Sequence, residues 1–290
     1  MGTDISAGKR LRQALDQECP LQVVGTINAC CAKLAERAGF RSLYLSGAGV
    51  ANASLGLPDL GMTTLEHVLE DARRVTAATE LPLLVDCDTG WGSFTTIAKT
   101  VLEMIGIGVA AIHLEDQAEP KRCGHRPGKR LVTTGQMNDR IKAAVDARSE
   151  PDFVIMARTD AAADEGLNAA IERAGSYVDA GADMIFAEAL VSEEQFREFA
   201  KSLSVPVLAN MTEFGKSPLL STDQLRGAGI QLVLYPLTAF RAMNAAADLA
   251  YRTLRENGTQ ADLLRALQSR DDLYELLDYH AFEQQLDDAT

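Results

Sequence analysis

The sequence predicts a (β/α)8 barrel of the TIM type, formed by a single domain over residues 1–290. Short apolar runs alternate with longer helical patterns along the chain, and such near-continuous apolar strands are typical of a parallel sheet covered by helices. Eight of these units fit the roughly 250 residues that a closed barrel needs. A doubly wound open sheet is the alternative fold, but no Gly-x-Gly-x-x-Gly pattern follows the first strand to support it.

The predicted strands are rich in β-branched and aliphatic residues. They cover 21–27, 42–47, 81–88, 110–116, 153–160, 184–188, 205–211 and 232–236. Helices are predicted between them, among others at 29–38, 65–78, 137–147 and 167–180. Several of these helices end on an Ala-Gly pair, where glycine suits the left-handed residue that closes a helix. Residues 238–290 contain more helical sequence than one barrel helix needs, so we expect a C-terminal helical extension outside the barrel or against a neighbouring subunit.

Charge and cysteine usage restrict the possible partners and compartment. The formal net charge of −13 disfavours nucleic acids and anionic membranes as partners. The chain has no run of about 18 apolar residues that would span a membrane, and its first ten residues lack the apolar core of a secretion signal. Five cysteines, with Cys30 and Cys31 adjacent, do not resemble a disulfide framework. These features predict a cytoplasmic protein.

Charged or amide side chains lie at the ends of five consecutive predicted strands, and Tyr44 and Ser46 lie at the end of the strand before them. In barrels of this type the active site lies at the C-terminal ends of the strands. The candidates there are Tyr44, Ser46, Asp86, Asp88, His113, Glu115, Arg158, Asp160, Glu188, Asn210 and Thr212. Because all of these ends face the same mouth, the sequence predicts an active site there.

Two of these residues, Asp86 and Asp88, form a candidate metal site. Residues two apart in a strand share a face, and two carboxylates there repel each other unless a cation lies between them. Oxygen ligands with Glu115 nearby favour Mg²⁺ over zinc. The alternative is structural, with one Asp capping the next helix and the other pairing with Arg158.

The segment after the fourth strand is strongly basic. Six of the ten residues from Lys121 to Arg130 are Lys, Arg or His. Positive charge around Cys123 favours its thiolate form and attracts a polyanion, and the flanking glycines would let the segment move as a lid. A basic surface loop with an incidental cysteine is the alternative interpretation.

The Lys121-Arg122-Cys123-Gly124-His125 motif resembles the isocitrate lyase and phosphoenolpyruvate mutase superfamily, and within it the methylisocitrate lyases. The likeness covers nearly the whole chain. It continues at Val24-Gly25-Thr26-Ile27-Asn28-Ala29, Leu55-Gly56-Leu57-Pro58-Asp59-Leu60-Gly61, Ala157-Arg158-Thr159-Asp160, Asn210-Met211-Thr212-Glu213-Phe214-Gly215 and Tyr235-Pro236-Leu237. Isocitrate lyases are longer and usually carry Lys-Lys-Cys-Gly-His. One departure from the family is Cys87, where alanine is usual, and we expect it to pack against the barrel.

The resemblance implies a Mg²⁺ ion, with Mn²⁺ as a substitute, and a homotetramer that exchanges C-terminal helices. Asp86 and Asp88 would bind the metal, and Asp59 and Glu115 would contact it through water. The implied substrate contacts are Ser46, Gly47, Ala48, Cys123, Gly124, Arg158, Glu188, Asn210, Met211, Thr212, Arg241 and Arg270. Without the resemblance, Arg241 and Arg270 would be read as part of a solvated helix face.

The implied reaction is cleavage of 2-methylisocitrate to pyruvate and succinate, a step of propionate catabolism through the methylcitrate cycle. Tyr44 is the candidate base for the substrate hydroxyl, Arg158 would stabilise the developing charge, and Cys123 would return a proton. Alternatives are a related lyase or decarboxylase acting on isocitrate, dimethylmalate or oxaloacetate, or a non-catalytic barrel that binds carboxylates.

Three apolar residues are candidates for a pocket around the substrate methyl group. By the two-residue strand period, Phe186 shares a face with Glu188, and Leu234 shares one with Pro236. Phe186, Leu234 and Pro236 would then line the mouth. Ordinary packing of the barrel interior is the alternative for each.

Overall fold

Eight parallel strands close into one barrel in chain order, and the last pairs with the first. The structure is a computed structural model that describes residues 5–122, 124 and 128–289. The strands are β1 (Leu21–Gly25), β2 (Ser42–Leu45), β3 (Leu83–Asp86), β4 (Ala111–Glu115), β5 (Val154–Thr159), β6 (Met184–Ala187), β7 (Val207–Asn210) and β8 (Leu232–Tyr235). The predicted (β/α)8 fold is confirmed.

Helices cover the outside of the barrel. They are α1 (Ala7–Gln17), α2 (Ala29–Arg37), α3 (Gly47–Gly49), α4 (Leu65–Thr76), α5 (Phe94–Gly106), α6 (Thr134–Asp146), α7 (Leu167–Asp179), α8 (Glu193–Lys201), α9 (Thr222–Gly227), α10 (Thr238–Asn257), α11 (Arg270–Leu276) and α12 (Tyr279–Asp288). A π-helical turn, Val50–Ser54, follows α3.

The helix ends follow the sequence signals. Thr64 caps α4 and Thr133 caps α6, each accepting a bond from a backbone N–H three residues ahead. Gly39 and Gly181, which follow α2 and α7, have φ values of 90° and 108°. A side chain would strain such a left-handed residue, so the glycines explain why the chain turns there into the next strand.

Alternating strand residues build two core layers. One face of each strand points into the barrel, where Leu21, Val23, Met156 and Leu208 pack together, and α1 covers the N-terminal end of this interior through Leu11. The opposite face packs against the surrounding helices. The bottom of the barrel is therefore filled, and the mouth at the C-terminal ends of the strands stays available for a site.

The strands end earlier than predicted. The fourth predicted range stops at 116 and the third at 88, whereas β4 ends at Glu115 and β3 at Asp86. Asp88 has a φ of 46°, which is incompatible with a strand. The argument that Asp86 and Asp88 share a strand face is therefore wrong, because Asp88 already belongs to the turn that leaves the barrel.

The C-terminal extension, α10 to α12, contributes no buried residue to the chain. Several of its large apolar side chains are exposed, namely Leu249, Tyr251, Leu254, Leu264, Phe282 and Leu286. Exchange of these helices between subunits stays a prediction. Across the described residues, no helix combines the length and apolarity required to cross a membrane.

Candidate active site

Asp86 and Asp88 converge although they leave the barrel differently. The Asp88 amide donates to Asp86 Oδ1 at 3.1 Å, and the Gly47 amide donates to Asp86 Oδ2 at 3.1 Å. A Cβ on Gly47 would lie 3.1 Å from Asp88 Oδ1 and 3.2 Å from Asp86 Oδ2. Glycine at position 47 thus leaves a small cradle between the two carboxylates. The structural alternative is wrong, since Ser93 caps the following helix and neither Asp is paired with Arg158.

Lys121 is the cation closest to this pair. Its Nζ lies 2.7 Å from Asp88 Oδ1 and 2.5 Å from Asp59 Oδ1. The ammonium therefore joins the loop that carries Asp59 to the turn after β3. Lys121 was recognised only as part of a basic segment, since nothing in the sequence shows which acids it contacts.

Arg158 is the centre of a second cluster. Its guanidinium lies 3.0 Å from Asp160 Oδ2, 3.2 Å from Glu188 Oε2 and 3.4 Å from Glu115 Oε2. It also lies over the Phe186 ring, 5.0 Å from the centroid. Three buried carboxylates around one buried cation fix the guanidinium at the mouth, because each would be costly to leave unpaired.

Tyr44 and His113 connect the barrel interior to the carboxylate pair. Tyr44 Oη lies 2.9 Å from His113 Nε2 and 3.4 Å from Asp86 Oδ2. Burial and the nearby Asp86 raise the pKa of Tyr44 well above its ordinary value. The phenol therefore holds its proton strongly, which argues against a tyrosinate as a free-standing base. That role of Tyr44 stays a prediction.

The pKa values of the acids in the site diverge. Burial alone would raise the pKa of Asp86, but the charges of His113 and Lys121 outweigh it and lower the pKa to about 2. Burial and the negative charge of Asp86 raise the pKa of Asp88 to about 6. Burial raises the pKa of Glu115 well above its ordinary value, against the opposing charge of Arg158. The site thus combines a firmly ionised carboxylate with two that take up protons readily.

A cavity of about 70 Å³ lies between the two clusters. A larger cavity of about 660 Å³ adjoins it beside Asp88 and Lys121, but the convergent ionisable groups surround the smaller one. The predicted residues that line the smaller cavity are Tyr44, Ser46, Ala48, Asp59, Asp86, Glu115, Gly124, Arg158, Phe186, Glu188, Asn210, Thr212, Leu234 and Pro236. We place the candidate active site here.

Of the predicted substrate contacts within the described residues, four do not line this cavity: Gly47, Met211, Arg241 and Arg270. The Met211 side chain packs in the outer core. Arg241 forms an ion pair with Glu213 at the edge of the mouth, and Arg270 is exposed at the start of α11. Neither arginine lines the cavity.

The three residues of the candidate methyl pocket were expected either to line a pocket or to pack the barrel interior, and the structure shows features of both. Phe186 and Leu234 belong to the packed barrel interior and also line the cavity, next to Pro236. The Phe186 ring meets the His113 ring edge to face at 5.2 Å. Cys87, by contrast, packs in the outer core as expected.

The segment 117–131 contributes three described residues to the mouth. An isolated β-bridge pairs Gln117 with Leu131, the two end residues of the segment. The Gln117 side chain donates from Nε2 to the Arg122 carbonyl and accepts at Oε1 from the Arg122 amide. Lys121, Arg122 and Gly124 line the cavity. Cys123, the predicted proton donor, lies outside the described residues, as do His125, Arg126 and Pro127.

We predict that Gly124→Ala impairs turnover. A Cβ at this position would overlap Arg158 Nη2 and lie 2.7 Å from Glu188 Cγ and 2.8 Å from Asp160 Oδ1. Because a misplacement of about 1 Å can cost about 100-fold in rate, we expect kcat to fall by about 10- to 100-fold. Gly135→Ala is the matched control, since a Cβ there meets nothing within 4 Å. Equal turnover of the two variants would refute the close approach.

Comparisons with known proteins show which proteins this chain resembles. Residues 11–255 match the family described as phosphoenolpyruvate phosphomutase. A 2-methylisocitrate lyase of Shewanella oneidensis is 60% identical over 282 residues, which cover 97% of each chain. The crystal structure of 2,3-dimethylmalate lyase, a member of the phosphoenolpyruvate mutase/isocitrate lyase superfamily, superposes with a TM-score of 0.91 at 33% identity, covering 98% of this chain and 96% of that one.

The chain belongs to the phosphoenolpyruvate mutase/isocitrate lyase superfamily. The family predicted from the Lys-Arg-Cys-Gly-His motif is therefore confirmed, and so is its classification as an enzyme of the carbon–carbon lyase kind. Another member, a phosphonopyruvate hydrolase solved with oxalate and Mg²⁺, has a TM-score of 0.84 and is 28% identical, covering 96% of this chain and 97% of that one.

Proposed function

We propose that the enzyme cleaves 2-methylisocitrate to pyruvate and succinate. The observation that carries this proposal is one small cavity lined by Asp86, by Arg158 with its carboxylate partners, and by the apolar Phe186 and Leu234, with Asp88 beside Asp86. Such a site offers groups for several carboxylates on one side and an apolar surface for a methyl group on the other. The 60% identity to a 2-methylisocitrate lyase supports the same substrate.

We also propose Mg²⁺ as the cofactor, with Mn²⁺ able to replace it. The described residues around the cavity carry more negative than positive charge when ionised: the acids are Asp59, Asp86, Asp88, Glu115, Asp160 and Glu188, and the cations are Lys121, Arg122, Lys129 and Arg158. A site with excess negative charge repels a tricarboxylate unless another cation is present. A divalent ion would correct this balance.

The donor set fits Mg²⁺. Asp86 and Asp88 would bind the ion at the cradle beside Gly47, with Asp59 and Glu115 reaching it through water. Within the described ranges, Glu115 Oε1 is buried and has no hydrogen-bond partner. In the same ranges, no three His, Cys, Asp or Glu side chains converge to hold a metal alone. That agrees with an ion held by one or two carboxylates and completed by water and substrate.

The chain's own residues account for the movement of protons and charge. The hydroxyl on the carbinol carbon loses its proton, the bond to the neighbouring carbon breaks, and the carbinol carbon becomes the ketone of pyruvate. The bonding electron pair moves to the neighbouring carbon, which is adjacent to a carboxylate. Mg²⁺, when bound, supplies Lewis-acid polarisation of the substrate oxygens. Arg158 stabilises the negative charge that develops on the succinate fragment.

Three further residues, Tyr44, His113 and Cys123, complete the proton balance. Burial lowers the pKa of His113 to about 4, so its imidazole is neutral. In the tautomer that leaves Nε2 unprotonated, the Tyr44 phenol, 2.9 Å away, can take the hydroxyl proton while it passes its own to the ring. We propose that the Cys123 thiol then delivers a proton to the carbanionic carbon and so forms succinate. Ser46, Gly47, Ala48, Asn210, Met211 and Thr212 would hold the substrate oxygens. Arg241 and Arg270 would contact the substrate only if a neighbouring subunit brings them to the mouth.

A comparison of substrates tests the function. A pocket filled by one methyl group gives about a 10- to 200-fold preference, so we expect kcat/KM for 2-methylisocitrate to exceed that for isocitrate by this factor. Pyruvate release would be measured with racemic 2-methylisocitrate, isocitrate, 2,3-dimethylmalate and oxaloacetate. Phe186→Ala should reduce the preference, whereas Phe94→Ala, an exposed residue on α5, should not.

The same assay separates the rival functions. A higher kcat/KM for 2,3-dimethylmalate would assign the chain to the activity named for its structural relative. Equal values for isocitrate and 2-methylisocitrate would reject the methyl pocket but keep the lyase chemistry. No turnover of any of the four compounds would favour a carboxylate-binding barrel without activity.

We further propose a homotetramer in the cytoplasm that serves propionate catabolism through the methylcitrate cycle. The exposed apolar residues of α10 to α12 support assembly, since a patch of this kind is costly to leave in water. Cys19, Cys30, Cys31 and Cys87 are free thiols, which suits a reducing compartment. The net charge of −13 supports a small anionic substrate held by local cations rather than nucleic acid or membrane partners.

A further inference from the structure

Lys129 is a buried cation with no role in the reaction as described above. Its side chain is 1% exposed. Its Nζ donates to the Gly124 carbonyl at 2.6 Å and to Asp160 Oδ1 at 3.0 Å, and it lies 3.4 Å from the Asp160 carbonyl. One ammonium thus joins Gly124, in the same segment as Lys129, to the residue that directly follows β5.

Asp160 extends these contacts to the guanidinium in the mouth. It accepts from Arg158 Nε at 3.0 Å and from Arg158 Nη2 at 3.2 Å. Its own backbone is fixed, because the Asp160 amide donates to Asp116 Oδ1 at 2.9 Å. A bidentate pair of this kind fixes the plane of the guanidinium as well as its position.

We propose that Lys129 is a positioning residue of the lyase reaction, acting through Asp160 on Arg158 and through the Gly124 carbonyl on the segment that carries Cys123. The inference rests on the proposed function for its kinetic consequences. Gly124 directly follows Cys123 in the chain, so the same ammonium fixes the neighbour of the proposed proton donor relative to the proposed charge-stabilising group.

A merely structural role does not explain a lysine at this position. A buried ion pair is often no more stabilising than apolar residues of similar volume, so stability alone would not require a charge here. Asp160 shares its carboxylate between Lys129 and Arg158, and without the ammonium Arg158 would be its remaining cationic partner among the described residues. The guanidinium and the segment would then be free to move relative to each other.

Lys129→Met tests the proposal with a side chain of similar length and no charge. We expect kcat for 2-methylisocitrate to fall by about 10- to 100-fold, as for other small misplacements of reacting groups, with a much smaller change in KM. The control is Arg130→Met, which removes the adjacent, exposed cation of the same segment and should retain kcat within about twofold, since surface substitutions have small effects. Thermal unfolding would be measured for both variants.

Two further measurements distinguish positioning from general destabilisation. Asp160→Asn should lower kcat similarly, and the double variant should lose far less than the product of the two single effects, because both act through one network. Propylamine added to Lys129→Ala should restore part of the lost kcat without changing the unfolding temperature. Additive effects, an unchanged kcat in Lys129→Met, or an absence of amine rescue would each overturn the proposal.

Hydrogen exchange separates this inference from the proposed function. Peptides covering 117–131 should exchange faster in Lys129→Met than in Arg130→Met, whatever the enzyme cleaves. If wild type fails to turn over 2-methylisocitrate but the exchange difference is found, the function is wrong and the positioning contact stands. If wild type is active and no exchange difference is found, the positioning inference fails. Should Lys129→Met not fold, Asp160→Asn would carry the same comparison.

Discussion

Removal of divalent cations should abolish turnover, and added Mg²⁺ should restore it. Lewis-acid stabilisation of a developing charge contributes several kcal/mol, so we expect a loss of about three orders of magnitude in kcat after treatment with EDTA. Mn²⁺ should support part of the activity. The assay is pyruvate release in buffer stripped of metal and then supplemented. Full activity in the stripped buffer would refute the magnesium assignment.

Binding of the metal should also depend on pH. Burial and the charge of Asp86 raise the pKa of Asp88 to about 6, so a proton occupies this carboxylate as the pH falls below that value. The proton competes with the ion, and the apparent Mg²⁺ affinity should fall by about fivefold between pH 6 and pH 5. Calorimetric titration of wild type measures this. Asp86→Asn should bind Mg²⁺ far more weakly at either pH, whereas Asp223→Asn, on the exposed helix α9, should bind it normally.

The sequence was informative about the barrel because its signals are local and repeated. Apolar runs, capping residues such as Thr64 and glycines such as Gly39 each specify one turn or one element, and eight of them in succession leave few alternatives. The ends of the strands were less predictable. Asp88 was assigned to a strand because apolar residues precede it. In the structure its φ is left-handed, and its carboxylate contacts Lys121 and Thr63, which come from other loops.

The sequence predicted which residues reach the site, but it did not predict which partner each of them binds. A polar residue at a strand end indicates the mouth, so Asp86, Glu115 and Glu188 were found. Which partner each one has depends on the packing of distant loops. Arg158 could have paired with any of several acids, and its bond to Asp160, two residues along the chain, competes with Glu115 and Glu188 on neighbouring strands. The spacing of residues in sequence contains no information on that competition.

Residues that position other site residues, rather than contact the substrate, were the hardest to identify from the sequence. Lys129 reads as one of many basic residues between 121 and 130, and only its burial distinguishes it from Arg130. Asp116 similarly accepts hydrogen bonds from the Thr159 and Tyr177 hydroxyls. These bonds hold the end of β5 against the helix that carries Tyr177. Sequence patterns mark residues by type, whereas these roles follow from enclosure, so they become visible only in the folded chain.

Replacement of Arg158 should cause the other large loss of activity. We expect Arg158→Lys to lower kcat by about 100- to 1,000-fold, the range found when one preorganised donor to a developing oxyanion is removed. A lysine has one charged nitrogen and cannot bond Asp160 at two positions while it also faces Glu188 and Glu115. The remaining carboxylates would then take up protons or repel the substrate.

Arg148→Lys provides the matched control. Arg148 also bridges a carboxylate, Asp183, and a backbone carbonyl, but it lies at the N-terminal end of the barrel beyond the reach of substrate. Both variants lose a guanidinium pair and both should lower the unfolding temperature modestly, whereas only Arg158→Lys should lower kcat. Guanidinium added to Arg158→Ala should recover some activity. If Arg158→Lys keeps more than about a tenth of wild-type kcat, or if only KM changes, then Arg158 binds the ground state and another group stabilises the charge that develops during cleavage.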